Sequence, residues 1–104
     1  MCYVETKNLD GETNLKVKYA NKDIHPLYKD QKKLSNLSGI VECEGPNNAI
    51  YKFEGMVKIP QKEAGISLNA DNLLLRGMSL RNTEFVYGVT IYSGHDTKIM
   101  QNSA

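Results

Sequence analysis

Two extended, β-prone runs, 39–44 (GIVECE) and 50–59 (IYKFEGMVKI), flank the string Gly45-Pro46-Asn47-Asn48, and this arrangement constrains the fold more than any other feature. Glycine and asparagine tolerate the backbone angles a reversal needs, and proline presets φ, so the string reads as the connection of a β-hairpin. Tyr51 and Phe53 fall on one face of the second run and Lys52 and Glu54 on the other. Such alternation predicts one packed side and one wet side.

The rest of the chain repeats this rhythm of short runs and breakers. Residues 2–8 carry β-branched and aromatic side chains and predict a strand, broken by the turn pair Asp10-Gly11. Leu15, Val17 and Tyr19 alternate with Lys16, Lys18 and Ala20, as in a half-buried strand; a short helix starting after Thr13 is the alternative. Pro26 is placed to open a helix, with Leu27, Lys29, Lys32, Lys33 and Leu34 on its turns. Residues 60–65 read as a polar loop, and Leu73-Leu74-Leu75 as a short buried strand closed by Arg76-Gly77. The run 84–92 (EFVYGVTIY) is apolar on both faces, which predicts a central strand. After Gly94, Asp96 is positioned to cap a closing helix over 97–102. Five or six short strands with one or two minor helices, and no βαβ alternation, predict a mostly β fold: a distorted antiparallel sandwich or barrel-like domain.

At 104 residues the chain is expected to form a single domain over 1–104. Hydrophobic residues make up 40%, charged residues 24%, and the formal net charge is +1, so there is no global electrostatic pull toward nucleic acid or an acidic membrane. The basic cluster 29–33 (KDQKK) reads as a solvated helix face. No apolar run approaches the ~20 residues that span a bilayer. Cys2 and Cys43 lack metal-ligand spacing and read as reduced thiols. The chain starts inside a β-prone run with no polar lead-in, which reads as a piece of something larger.

Chemistry concentrates in the run 4–16 (VETKNLDGETNLK). It sets one carboxylate, Glu12, directly after a glycine at a strand-to-loop junction. Gly11 allows a sharp bend and close approach of another surface, while Asp10 and Thr13 are able to hydrogen-bond nearby amides and stiffen the loop. A stiff loop presenting one carboxylate suits a general base acting on a target outside its own domain. An ordinary acidic turn has the same composition.

The longer string resembles the actuator signature of type IV P-type ATPases, the lipid flippases, in which Asp-Gly-Glu-Thr replaces the Thr-Gly-Glu-Ser loop of ion pumps. Ser38–Asn47, then Asn72–Gly77, Leu80–Thr83, Gly88, and the tail from Tyr92 to Met100 continue the resemblance in order. Met78, Phe85 and Ser93 depart from the usual pattern at packing positions. The resemblance implies a partial actuator domain in which Glu12 orients or deprotonates a water attacking an aspartyl phosphate. It implies that Gly11 gives clearance and that Asp10 and Thr13 hold the loop's shape. Arg76, Arg81 and His95 are candidates for contacts with neighbouring domains. By the same resemblance ATP and Mg²⁺ act elsewhere in the full protein, with no cofactor or metal in this piece. The implied partners are the phosphorylation and nucleotide-binding domains of the same chain, membrane helices reached through linkers, an accessory β-subunit, and a phospholipid as transported substrate. The piece itself would be inactive and would face the cytosol. The competing expectation is the same module kept as a regulatory or scaffolding unit fused to another enzyme, without pumping.

Overall fold

The computed structural model describes residues 1–28, 38–60 and 62–102. Its chain order is β1 (Cys2–Glu5), α1 (Lys7–Asp10), β2 (Lys16–Lys18), β3 (Ile40–Cys43), β4 (Glu54–Ile59), β5 (Lys62–Asn69), β6 (Ser79–Arg81) and α2 (Lys98–Asn102). Short 3-10 turns lie at His25–Tyr28, Ala70–Asn72 and Gly94–Asp96. The strands form two three-stranded antiparallel sheets, ordered β2-β1-β6 and β3-β4-β5. The mostly β, antiparallel expectation is met.

Burial alternates along β1, β4 and β5, but not along β2, where Val17 is half-buried and the flanking Leu15 and Tyr19, expected on a packed face, are exposed. In β1 the inward residues are Cys2 and Val4, with Thr6 buried just beyond. In β4 they are Val57 and Ile59, which join Ile66 of β5 in a core covered by Ile24, Leu27 and Leu68. Outer strand β3 is exposed along its whole length. Removing these aliphatic side chains from water is the main stabilising term available to the fold, roughly 1.5–3 kcal/mol for each fully buried one.

Several local expectations are corrected. The first strand ends at Glu5, and the predicted strand residues Lys7 and Asn8 belong to α1 instead. The 39–59 hairpin exists, with Cys43 opposite Gly55, but residues 50–53 lie in its connection and not in the strand. Tyr51 is therefore exposed while Phe53 is buried, so the two do not share a packed face. The polar loop expected at 60–65 is largely β5, which turns straight back on β4 with Lys62 opposite Ile59. Leu73–Leu75 form no strand and Leu74 is exposed. The run 84–92 is not a strand either: Phe85 is 62% and Val89 65% exposed. Thr97, rather than Asp96, precedes α2, since Asp96 sits inside the preceding 3-10 turn. Pro26 does sit in a short helical turn, whereas Lys29, Lys32, Lys33 and Leu34 lie outside the described residues.

Candidate functional site

The Glu12 tip is built by α1. Its turn is closed by the amides of Leu9 and Asp10 donating to the Thr6 carbonyl at 2.8 and 3.0 Å. Gly11 ends it in the left-handed conformation, φ 76°, with its amide donating to the Lys7 carbonyl at 2.9 Å. That backbone is costly for residues with a Cβ, and no atom lies within 4 Å of where one would stand. The glycine thus provides both the bend and open space beside the tip.

Asp10 holds the tip's shape. Its Oδ1 accepts hydrogen bonds from the Thr6 hydroxyl and from the Glu12 amide, each at 2.9 Å. Its Oδ2 accepts one from the Tyr51 hydroxyl, donated from 41 residues further along the chain, and lies 3.8 Å from the Lys16 ammonium. The Tyr51 hydrogen bond is the chief reason the Asp10 carboxyl titrates below the usual carboxylate range, with the Glu12 amide next. The same bond pushes the Tyr51 hydroxyl up. Thr13, expected to share this work, makes no side-chain hydrogen bond among the described residues; Thr6 takes that part.

Glu12 itself stays outside, its side chain 53% exposed, with Oε2 2.7 Å from Lys16 Nζ. An exposed pair of this kind contributes ~0–1 kcal/mol, so it positions the carboxylate without locking it away. The hydrogen bond to Glu12 is the main cause of the raised Lys16 pKa, which keeps that cation protonated. Lys16 also lies 5.2 Å from the centre of the Tyr51 ring. Behind the tip is a cleft of about 190 Å³ lined in part by Thr6, Leu9, Asp10, Lys16, Tyr51 and Met78.

None of the interface candidates makes a side-chain hydrogen bond or ion pair to residues 10–13 among the described residues. Arg81 pairs within the chain, its Nε 3.4 Å from Glu5. Arg76 is exposed in the turn before β6, and His95 is exposed in the 3-10 turn before α2, where its carbonyl accepts from Gln101 at 2.7 Å. Sequence patterns gave Glu12, Gly11 and Asp10 but missed Tyr51 and Lys16 as their supports. Lys16 left only its nearness in sequence as a signal, since residues 11–15 are not helical and the spacing of four carries no helix-face meaning here. Tyr51 left none, because its role depends on a contact between distant segments.

Fold and tip together define a small antiparallel β domain that presents one carboxylate on a glycine-hinged loop. No family model matches the chain. Over 103 residues, 99% of its length, it is 47% identical to a phospholipid-transporting ATPase of Schizosaccharomyces pombe. It is 48% identical over 103 residues to phospholipid-transporting ATPase 6 of Arabidopsis thaliana and 47% to phospholipid-transporting ATPase IC of Xenopus tropicalis. The chain belongs, as a segment, to the phospholipid-transporting ATPases, the type IV P-type family that its motifs resemble. It spans 8% of the length of each of these relatives.

Proposed function

We propose that this chain is the actuator part of an ATP-driven, phospholipid-translocating P-type ATPase, with Glu12 orienting or deprotonating the water that attacks an aspartyl phosphate on another domain. The observation that carries the reading is the accessible Glu12 carboxylate on a tip whose backbone is fixed from behind by Asp10. Phosphoryl transfer gives a protein little covalent work, so placing a base and a water in line is the main lever, with general-base help of about 10²–10⁴-fold. Clearance beside Gly11 lets a phosphorylated surface approach.

Among the described residues no three His, Cys, Asp or Glu side chains converge as a cation site requires. In this reading ATP and Mg²⁺ act in the phosphorylation and nucleotide-binding domains of the parent chain, and none of this segment's own steps runs through them. Rotation of the segment as a body would pull membrane helices through its linkers and couple hydrolysis to phospholipid movement. No helix among the described residues is long and apolar enough to cross a membrane; in this reading the segment lies beside the bilayer, on its cytosolic face. An accessory β-subunit is part of the same reading.

The test is Glu12→Gln in the intact ATPase. Phosphoenzyme should form at the normal rate and decay ~10²–10⁴-fold more slowly. Normal decay in that variant would remove the assignment.

A further inference from the structure

Tyr51 reaches both ends of Glu12 by two separate routes. Its hydroxyl donates to Asp10 Oδ2, while Asp10 Oδ1 accepts from the Glu12 amide at 2.9 Å. Its ring carries the Lys16 ammonium 5.2 Å from the ring centre, and Lys16 Nζ holds the Glu12 carboxylate at 2.7 Å. The first route fixes the Glu12 backbone and the second fixes its side chain. We propose that Tyr51, on the connection between β3 and β4, is the positioning residue for the Glu12 tip. This deepens the reading of Glu12 given above and rests on it.

Three features separate this role from plain packing. Tyr51 is exposed, so its ring contributes little to a core. Both of its polar contacts go to residues that touch Glu12 directly. It also comes from the hairpin of the second sheet, so the orientation of the tip depends on how the hairpin connection meets α1. A misplacement of ~1 Å at a reacting group costs about a hundredfold in rate, and so a support outside the reacting set has leverage.

The experiment uses the intact ATPase and follows phosphoenzyme formation and decay separately. Tyr51→Phe keeps the ring and removes the hydroxyl; Lys16→Met removes the second route together with the 3.8 Å pair to Asp10, while leaving the Tyr51–Asp10 hydrogen bond in place; Tyr51→Leu removes both routes. Each single-route variant should slow decay about tenfold, and Tyr51→Leu about a hundredfold, with formation unchanged. Lys16→Arg, which keeps the charge and the ring contact, should recover most of the loss. In the Glu12→Gln background, Tyr51→Leu should add almost nothing, because it acts through Glu12. Normal decay in Tyr51→Leu overturns the inference, as does a full additional slowing in the double variant. If Glu12→Gln alone decays normally, it is the reading of Glu12 that has failed, and the role of Tyr51 falls with it.

Discussion

Asp10 is the most heavily engaged side chain of the tip, accepting from Thr6, the Glu12 amide and Tyr51. These donors favour its charged form, so its folded pKa lies below the unfolded one, near 3.8. The sign of the consequence follows from proton linkage. A carboxyl whose pKa is lowered by folding binds more protons when unfolded, so its stabilisation is complete above the unfolded value and is lost as pH falls through the folded one. Urea unfolding of the isolated chain at stepped pH below about 4 should therefore lose stability with acid. Tyr51→Phe should flatten that loss, because it removes the largest cause of the shift. An unchanged acid dependence in Tyr51→Phe would show that the hydroxyl does not hold Asp10 in solution.

At the scale of elements, β5 shows what sequence patterns convey and what they hide. Ile66 and Leu68 point inward while Ser67 and Asn69 face water, a period of two that was present in the sequence. Pro60, Lys62, Glu63 and Gly65 obscured it, since they carry the composition of a loop. Between Val57↔Ile66 and Ile59↔Lys62, β4 advances by two residues and β5 by four, so the irregularity lies in β5 and includes Gly65. Gly65 adopts φ 94°, and a Cβ there would stand 2.4 Å from Met56 Sδ. Gly65→Ala should destabilise the chain by ~1–2 kcal/mol from backbone strain alone, read as a lower denaturant midpoint at constant slope. Gly45→Ala, where nothing lies within 4 Å and φ is not positive, is the control and should be near neutral. The opposite error came at 84–92. Its β-branched and aromatic residues report fitness for a sheet, but a strand also needs a hydrogen-bonded neighbour, and none is placed beside it among the described residues. The hairpin, the mostly β class and the Asp10-Gly11 turn were legible because each shows in short-range patterns, whereas Glu12 stood out from an ordinary acidic turn only through the longer resemblance. The supports from Tyr51 and the edges of the hairpin were not, because distant contacts decide them.

Across the whole molecule, the two sheets share few buried aliphatic side chains, and polar links between segments matter correspondingly more. Lys98 of α2 is only 3% exposed. Its ammonium donates to Asn47 Oδ1 at 2.7 Å and lies 4.0 Å from Glu44 Oε1, a buried atom that accepts no hydrogen bond among the described residues. The Tyr92 hydroxyl donates to the Glu44 carbonyl, so both ends of the tail converge on the hairpin connection. Two effects compete when Lys98 is replaced by Met. The isosteric apolar stem removes the cost of burying a cation, and well-packed apolar replacements of whole buried pairs are often neutral or stabilising. Removing Lys98 alone takes away the counter-charge of Glu44, at roughly 1–3 kcal/mol for a buried polar group left without compensation, whereas Asn47 Oδ1 keeps the Ala49 amide at 3.0 Å. Because the Glu44 side chain is 34% exposed, water offsets part of that loss, and the lower end is the better guide. Lys98→Met should therefore lower the melting midpoint by about 4–8 °C per kcal/mol lost. Adding Glu44→Gln should restore part of the loss by removing the uncompensated charge, so the double variant should fall short of the sum. A Lys98→Met chain as stable as the parent would mean that the cation is only tolerated there.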